Sequence, residues 1–378
     1  MSKRDSAVGH VALLFATSGH SGVDRIVSNL LPEFGRTEMM FDLLAIRGHG
    51  PYLEELPSNV RPITLSAAHR NTVLPPLVRY LRRERPTAVV TASHRLNRAL
   101  LLARRIARVN CRVAIRMGMS VSAQLEELGS RRGERLRRSM HYWYPRADAV
   151  IAPSAGVGDD LVRLAGVTAG QLHVIPNPIV TEKLKTLKAE PLEHDWFGGG
   201  APPVILSAGS LEPRKDFATL IRAFARVRAR RPCRVVVLGE GRQRNELAGL
   251  ARELGVESDV ALPGFEANPY RYMARAGVFA LCSRREGSGA VLVEALACGV
   301  PVIATDCPSG PAEILQHGRV GPLVPVSDDE ALASGIERLL DRPPAVADLL
   351  AAAAPFGAPQ SAQRYLTAAL GSDAEGST

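Results

Sequence analysis

Long hydrophobic runs and paired cysteines are missing from this chain of 378 residues. No apolar run approaches the ~20 residues that span a bilayer, which excludes a polytopic membrane protein. The opening apolar stretch has at most seven residues and predicts a first strand rather than a signal peptide. Five scattered cysteines form no C-x-x-C pair, so we expect buried free thiols and a reducing cytoplasm.

Acidic residues are scarce in the first half of the chain. Residues 1–180 hold 25 Lys+Arg and 14 Asp+Glu, whereas residues 181–378 hold 22 and 24, so the formal net charge of +9 comes from the first half. A basic half-protein suggests a polyanionic partner, which can be nucleic acid, an anionic membrane face or a phosphorylated substrate. No aromatic platform, zinc-ligand spacing or helix-turn-helix signal accompanies the charge, so nucleic acid is not expected.

Short apolar runs alternate with helical patterns along the chain. Continuous Val/Ile/Leu runs predict strands buried on both faces, as in parallel sheets covered by helices. The alternation therefore predicts an α/β fold with two Rossmann-like, doubly wound domains that face a central cleft. The helices predicted before the boundary include Leu74–Arg85 and Asn97–Arg108.

A domain boundary is visible near the middle of the chain. Pro176-Asn177-Pro178 breaks any helix there, and residues 183–203 are rich in charge, glycine and proline and lack strong periodicity. We predict an N-terminal domain over residues 1–179 and a second domain over 180–358. Residues 359–378 are predicted to form a C-terminal helix that packs back toward the N-terminal domain, followed by a disordered tail.

The segment Glu286–Glu294 (EGSGAVLVE) carries the strongest chemical signal. A predicted strand leads to Glu286, a Gly-Ser-Gly turn follows, and a helix then carries Glu294. Glycines let the backbone approach a ligand closely, and a helix start favours a diphosphate. Glu294 lies ~7–8 Å along the helix, so one carboxylate can meet a sugar and the other a ribose beyond the diphosphate. The alternative is a Gly-rich β–α turn with two surface glutamates.

Three further turns follow predicted strands of the second half. Ser207–Asp216 (SAGSLEPRKD) places Arg214 and Lys215 near a helix start, where cations suit a diphosphate; a solvated basic turn is the alternative. Gly239–Arg244 lacks the third glycine of the dinucleotide fingerprint. Leu262–Phe265 (LPGF) is a small turn whose aromatic ring can lie against a nucleobase or belong to the core.

Together and in this order, these motifs resemble the retaining glycosyltransferases of family 4, which have the GT-B fold. The E-x(7)-E motif of the family corresponds to Glu286 and Glu294, and its Gly-Arg-Leu…Lys motif corresponds to Gly209-Ser210-Leu211…Lys215. The segment 294–315 (EALACGVPVIATDCPSGPAEIL) is similar to a bacterial branch with the DCPSGP segment. The resemblance is close over residues 200–340 and looser over residues 10–180.

The resemblance implies a retaining, metal-independent sugar transfer from a nucleotide-sugar. Lys215 with Arg214 would bind the donor diphosphate and Glu286 would contact the donor sugar, which makes these three the predicted catalytic residues. Glu294 would bind the ribose hydroxyls, and the turn at Gly264 would frame the base. The predicted donor-binding residues are Gly209, Ser210, Gly239, Gly241, Gly264, Phe265, Gly287, Ser288, Gly289, Ala290, Val291 and Glu294. No D-x-D triplet occurs, so neither a metal site nor a cofactor is expected.

Two positions depart from the family pattern. Ser210 stands where the family motif has an arginine. One of the two cations that bind the diphosphate in the family is therefore missing, unless Arg214 takes its place. The segment after the strand 112–116 lacks the histidine that the family often has there, so His94 after the preceding strand is the candidate; a structural or solvated histidine is the alternative. The predicted cleft residues of the N-terminal domain are Gly19, Gly22, His94 and Arg116.

The segment Ser122–Tyr144 is basic and amphipathic, although Gly129 and Gly133 weaken a helix there. Its five arginines at positions 131–138 and its terminal aromatic residues predict association with an anionic membrane. The alternative is a solvated arginine-rich helix that packs on its own domain. Its predicted apolar face consists of Leu125, Leu128, Leu136, Met140 and Trp143.

These observations lead to one expectation and two alternatives. We expect a cytoplasmic glycosyltransferase, peripheral on the inner face of the cytoplasmic membrane, in bacterial lipopolysaccharide, capsule or exopolysaccharide biosynthesis. A UDP-sugar ranks first as donor and a GDP-sugar second, and the acceptor is a glycan or a polyprenyl-linked glycan. The alternatives are a nucleotide-sugar epimerase or phosphorylase on the same fold, and a catalytically silent GT-B binding protein.

Overall fold

A computed structural model of the chain describes residues 9–15, 22–46, 55–67, 71–286, 288–308 and 310–371. They divide into two compact units. The first contains the chain up to Pro178 together with the segment that starts at Ala358, and the second is Ile179–Gly357. The sequence prediction placed both boundaries one residue further along the chain. The tail predicted to be disordered lies, except for Gly371, outside the described residues.

The first unit contains a seven-stranded parallel sheet with a hydrophobic core on each face. Its strands are β1 His10–Leu14, β2 Met40–Ile46, β3 Val60–Leu65, β4 Ala88–Ala92, β5 Arg112–Arg116, β6 Ala149–Ala152 and β7 Leu172–Val174. Its helices up to the boundary are α1 Gly22–Phe34, α2 Leu74–Glu84, α3 His94–Ala107, α4 Val121–Trp143 and α5 Ala155–Ala165. The strands lie in the spatial order β3-β2-β1-β4-β5-β6-β7. Strands β2 and β3 therefore extend the sheet on one side of β1, and β4 to β7 extend it on the other side.

The second unit contains a six-stranded parallel sheet, again with a core on each face. Its strands are β8 Val204–Ala208, β9 Arg234–Leu238, β10 Val260–Gly264, β11 Val278–Leu281, β12 Val302–Thr305 and β13 Leu323–Val324. Its helices are α6 Glu182–Ala189, α7 Phe217–Arg228, α8 Arg244–Glu253, α9 Tyr270–Met273, α10 Ala290–Cys298, α11 Pro311–Ile314, α12 Asp329–Asp341 and α13 Val346–Ala353. The strands lie in the spatial order β10-β9-β8-β11-β12-β13. Strands β9 and β10 extend the sheet on one side of β8, and β11 to β13 extend it on the other, so the strand order reverses between β8 and β11.

The two ends of the second unit lie side by side. The backbone N–H groups of Ile179 and Val180 both donate to the carbonyl of Phe356, at 2.9 and 3.0 Å. Val180 also forms a parallel bridge with Gly357. The chain therefore enters and leaves this unit at one place.

The last described helix, α14 Ala358–Leu370, belongs to the first unit. Tyr365 is buried in the core on the face of the sheet where α14 packs against β4, β5 and β6, and its hydroxyl accepts a hydrogen bond of 2.9 Å from Arg116 Nε at the end of β5. The helix begins at Ala358, one residue before the predicted C-terminal segment 359–378, and Ala358 is fully buried.

The prediction of two Rossmann-like parallel-sheet units is confirmed. The segment 183–203, which lacks strong periodicity in the sequence, is partly helical, since α6 covers its first seven residues. That helix buries one side chain, Leu184, and is capped by Thr181, whose hydroxyl accepts a hydrogen bond from Leu184 N. A helix with a single buried residue produces almost no hydrophobic periodicity. Helix α3 also begins three residues before the predicted Asn97, directly after β4.

A buried charged cluster lies on one face of the first sheet, centred on Asp42 of β2. Its carboxylate accepts hydrogen bonds from Arg61 Nε at 2.8 Å and from the Tyr80 hydroxyl at 2.7 Å, and His10 Nε2 lies 2.9 Å away. Burial alone raises the pKa of Asp42, but the hydrogen bonds from these three partners outweigh it and hold the pKa well below its ordinary value. Asp42 therefore stays ionised in the folded protein.

All five cysteines are buried free thiols. Burial raises the pKa of Cys307 to about 11 and that of Cys298 to about 12. Thiols with such pKa values carry almost no thiolate at neutral pH, so they act as small core side chains.

Candidate functional site

Four loops of the second unit leave the carboxyl ends of neighbouring parallel strands. They follow β8, β9, β10 and β11, and the strand order reverses between β8 and β11. Open α/β sheets bind ligands at such a switch point. The loop after β8 carries Arg214 and Lys215 in a 3₁₀ turn at Pro213–Lys215, and the loop after β11 carries Glu286.

Lys215 and Glu286 are in direct contact across the switch point. Lys215 Nζ forms an ion pair with Glu286 Oε1, and each side chain is only 9% exposed. The Ser283 hydroxyl donates to the same oxygen at 2.6 Å. The structure thus brings together two of the three predicted catalytic residues, which lie 71 positions apart in the chain.

Arg214, the third predicted catalytic residue, lies on the solvent side of this pair. It is exposed, and its Nη2 lies 3.5 Å from the hydroxyl of Ser210. The guanidinium therefore reaches the position at which the family motif has its own arginine. The backbone of Arg214 is also fixed, because its carbonyl accepts a 2.8 Å hydrogen bond from the N–H of Arg284 in the loop after β11.

Asp216 holds these two loops together, and the sequence did not single it out. Its carboxylate accepts hydrogen bonds from Arg284 Nε at 3.0 Å and from the Ser327 hydroxyl at 2.8 Å. Burial raises the pKa of Asp216, but these hydrogen bonds outweigh the burial and lower the pKa overall. The only signal in the sequence is an acidic residue directly after Lys215.

The predicted glycines of the loops after β8, β9 and β10 allow their backbones to pack closely. A Cβ atom on Gly239 would lie 2.0 Å from the carbonyl oxygen of Gly209, and one on Gly241 would lie 2.5 Å from that of Leu211. The loops are joined by hydrogen bonds from Gly209 N to Leu238 O at 2.9 Å and from Gly239 N to Gly264 O at 2.7 Å. These glycines are therefore needed for contacts between the loops.

Phe265 is the first residue after β10 and is 79% exposed. The sequence left open whether its ring belongs to the core, and the structure shows that it does not. An exposed aromatic ring beside the candidate site offers a flat apolar surface to a ligand.

Helix α10 begins beside the same switch point. Ser288, Ala290 and Val291 are partly exposed at its start, and Gly289 is buried there, whereas Gly287 lies outside the described residues. Glu294 is the fifth residue of the helix and is only 2% exposed, so its carboxyl group is buried beneath this start. It is not the surface glutamate of the alternative interpretation.

The candidates of the first unit have structural partners. Arg116 is 1% exposed and donates to the Tyr365 hydroxyl and, at 2.7 Å, to Asn177 Oδ1, so it joins β5 to two distant segments. His94 contacts the Tyr144 hydroxyl through Nδ1 at 3.2 Å and the Ser139 hydroxyl through Nε2 at 3.1 Å. Gly22 is the first residue of α1, and Gly19 lies outside the described residues.

These contacts favour the structural alternative for His94. Burial and the nearby Arg98 and Arg95 lower its pKa to about 4, so the imidazole is neutral at physiological pH. Both ring nitrogens already have partners inside the unit. The structural alternative is therefore the better description of this histidine.

The basic helix α4 packs on its own unit. Met140 lies in the core, and Leu125, Leu136 and Trp143 pack against it, whereas Leu128 is exposed. The helix is interrupted at Gly129, which has φ 71° and ψ 171°. The apolar side chains of α4 are thus largely covered, which favours the alternative that this helix packs on its own domain.

Comparisons with known proteins identify the class to which the two units belong. Residues 196–354 match the family "Glycosyl transferases group 1", and residues 20–183 match "Glycosyltransferase Family 4". The lipopolysaccharide outer core galactosyltransferase WaaB has the same fold, with a TM-score of 0.74 at 18% identity over 95% of this chain and 98% of that one. HepE from Anabaena in complex with UDP gives a TM-score of 0.73 at 21% identity over 94% and 98%. The chain therefore carries glycosyltransferase domains of the group 1 and family 4 type on the GT-B fold.

Two curated relatives are, by their names, bacterial glycosyltransferases. An N-acetylgalactosaminyltransferase from Campylobacter jejuni, which acts on a diphospho-undecaprenol-linked sugar by its name, is 36% identical over 199 residues, 52% of this chain and 52% of that protein. The lipopolysaccharide core biosynthesis glycosyltransferase LpsE from Rhizobium meliloti is 35% identical over 198 residues, 52% of this chain and 55% of that protein. The chain matches about half the length of these relatives.

Proposed function

We propose that the chain is a retaining glycosyltransferase that moves a sugar from a nucleotide-sugar to an acceptor hydroxyl. The observation that carries the proposal is the buried contact between Lys215 and Glu286 at the switch point of the second sheet. A UDP-sugar ranks first as donor, because HepE, a neighbour in fold, has been crystallised with UDP and with UDP-glucose. A GDP-sugar ranks second.

The donor diphosphate takes the place that Glu286 now occupies beside Lys215. A phosphate oxygen competes with the carboxylate for the ammonium, because both are anions and the pair is held at only one oxygen of Glu286. Arg214 supplies the second cation, since it already reaches the Ser210 hydroxyl. Glu286 is then free to accept hydrogen bonds from the hydroxyls of the donor sugar.

The rest of the nucleotide lies along the same edge of the sheet. Phe265 and the turn at Gly264 flank the base, because the ring is exposed beside the end of β10. The buried carboxyl group of Glu294 accepts hydrogen bonds from the ribose hydroxyls. Backbone N–H groups at the start of α10 bind the sugar and the phosphates.

The transfer proceeds with retention at the anomeric carbon. The acceptor oxygen approaches from the face that the diphosphate leaves, the bond between the anomeric carbon and the phosphate oxygen breaks, and a bond to the acceptor oxygen forms. The acceptor proton passes to an oxygen of the departing diphosphate. Lys215 and Arg214 stabilise the negative charge that develops there, so this scheme assigns that role to side chains and not to a metal ion.

We further propose a lipid-linked or polysaccharide acceptor in bacterial cell-surface glycan biosynthesis, in the branch with the DCPSGP segment. The names of the Campylobacter and Rhizobium relatives support this assignment. The protein would then work on the inner face of the cytoplasmic membrane as a peripheral protein. Within the described part of the chain, every helix is too short or too polar to cross a bilayer.

Incubation with a panel of radiolabelled UDP- and GDP-sugars tests the proposal. We expect slow hydrolysis of one donor, and transfer when a polyprenyl-diphosphate-linked glycan is added. Conversion of the donor into an isomeric nucleotide-sugar without an acceptor would indicate the epimerase, and phosphate-dependent release of a sugar phosphate would indicate the phosphorylase. Failure to bind or turn over any donor would indicate a catalytically silent binding protein.

A further inference from the structure

One stretch of the first unit accounts for most of the net positive charge of that unit. Residues 74–108, which span α2, β4 and α3, contain nine arginines, no lysine and one acidic residue, Glu84. The net charge of this 35-residue stretch accounts for most of the excess of basic over acidic residues in the first half of the chain. The arginines are Arg79, Arg82, Arg83, Arg85, Arg95, Arg98, Arg104, Arg105 and Arg108.

Most of this charge faces the solvent. Eight of the nine arginines are exposed, and the ninth, Arg104, is paired with Asp148. On α2, Arg82 and Arg83 lie three and four residues after Arg79, which places the three side chains on one face of the helix. Glu84 forms ion pairs with both Arg83 and Arg61, so it offsets at most one of the nine charges.

The two helices enclose a groove with an aliphatic floor. The groove has a volume of about 640 Å³, and Arg82 joins its two sides by donating to the carbonyl of Ile106 at 3.0 Å. Ile106 is 43% exposed although it is a large aliphatic residue. The residues that line the groove are Leu74, Pro75, Val78, Arg79, Arg82, Arg83 and Ile106.

Helix α4, which the sequence favoured as the basic surface, is different. Its five arginines share the helix with three glutamates, and Glu134 pairs with both Arg137 and Arg138. Its apolar side chains are largely packed on the core. It therefore offers neither the excess charge nor the free aliphatic surface of the α2–α3 pair.

We infer that the groove between α2 and α3 and its arginines, called here the α2–α3 arginine face, dock on an anionic phospholipid surface. This inference rests on the proposed function, which places the acceptor in a membrane. Guanidinium groups bind lipid phosphates, and the aliphatic residues between them lie at the level of the acyl chains. A nucleic acid fits less well, because the groove has no aromatic residue on which a base could stack.

The test compares two matched variants of the full chain in sedimentation with vesicles. R79Q/R82Q/R83Q removes three charges from the α2–α3 arginine face, and R131Q/R132Q/R135Q removes three exposed charges from α4. On vesicles that contain phosphatidylglycerol, we expect the first variant to bind on the order of 100-fold more weakly, at about fivefold per arginine. The α4 variant should lose less than about tenfold, and neither should bind pure phosphatidylcholine.

A third variant separates a membrane from a soluble polyanion. I106S removes the exposed aliphatic residue and leaves every arginine in place, so it should weaken vesicle binding several-fold and leave binding to duplex DNA unchanged. Equal losses in the two triple variants, an unchanged R79Q/R82Q/R83Q, or duplex DNA bound more tightly than vesicles by the wild type would each overturn the inference. Circular dichroism confirms that each variant is folded.

Failure of the docking surface and failure of the enzymatic proposal give different results in these assays. Donor hydrolysis does not involve these arginines, so R79Q/R82Q/R83Q should hydrolyse a donor at the wild-type rate while it loses vesicle binding. If no donor is hydrolysed by any variant but vesicle binding is lost only from the α2–α3 arginine face, the enzymatic proposal fails and the docking surface stands.

Discussion

Replacing Lys215 with methionine should separate donor binding from stability. Both side chains of the Lys215–Glu286 pair are 9% exposed, so removing the lysine leaves a carboxylate buried without its cation. Breaking such a pair costs about 3–5 kcal/mol. The 2.6 Å hydrogen bond from Ser283 remains and offsets about 1 kcal/mol of that cost. We therefore expect K215M to lower the free energy of unfolding by about 2–4 kcal/mol.

The double variant K215M/E286Q removes the stranded charge. A neutral amide beside a methionine should bring stability back to within about 1 kcal/mol of the wild type. Affinity for UDP should not return, because the charge-assisted hydrogen bond from Lys215 to the diphosphate is worth about 1.5–3 kcal/mol, which is roughly 10–150-fold in Kd. K185M is a matched control, since Lys185 forms an exposed pair with Glu182.

Denaturant melts and calorimetric titration with UDP give the two quantities for each variant. The expected pattern is a large loss of stability only in K215M and a loss of UDP affinity in both variants that lack Lys215. If K215M/E286Q recovers the stability and also the affinity for UDP, Lys215 has a structural role alone and the diphosphate assignment is refuted.

Three further predictions concern single charges. Arg214→Ala should weaken UDP binding about tenfold or more, and S210R/R214A should restore it by returning the cation to the motif position; a titration in which R214A binds like the wild type contradicts this. Glu294→Gln should weaken binding of free UDP and GDP more than Glu286→Gln does, and equal affinities in both variants and the wild type would exclude the ribose role. Asp42→Asn should lower stability by roughly 2–4 kcal/mol at neutral pH. Because the folded-state pKa of Asp42 is depressed, its contribution to stability is present above about pH 4 and is lost at lower pH. The stability of D42N should therefore fall less steeply than that of the wild type as the pH is lowered below about 4. Equal slopes for the two proteins would contradict the assignment.

Much of the fold follows from local patterns in the sequence. Buried parallel strands such as β4 (AVVTA) are apolar at nearly every position, and this property needs no knowledge of distant partners. Helix α7 is predictable for a similar reason, because its apolar residues recur at helical spacing along the sequence. Helix α6 escapes such an analysis because only Leu184 is buried, and its stability comes from the elements on which it packs.

The residues of the candidate site can be predicted from the sequence only where they belong to a recognisable motif. The motifs identified Lys215 and Glu286, but not that they form an ion pair, since the contact depends on the order of β8 and β11 in the sheet. Asp216 and Arg284 were missed because their link is between two loops far apart in sequence. For His94 the sequence could not show that Tyr144 and Ser139 would occupy both ring nitrogens.

The paired ends of the second unit make it an inserted domain. The first unit begins before it and resumes after it with α14, whose Tyr365 completes the core of that unit. Shortening the chain from its carboxyl end would thus damage the amino-terminal half of the protein. Because Ile179 and Val180 pair with Phe356, the segment between Pro178 and Ala358 has one point of entry and exit. Such a segment can be exchanged as a cassette, and under the proposed function this exchange would change the donor while the α2–α3 arginine face is kept.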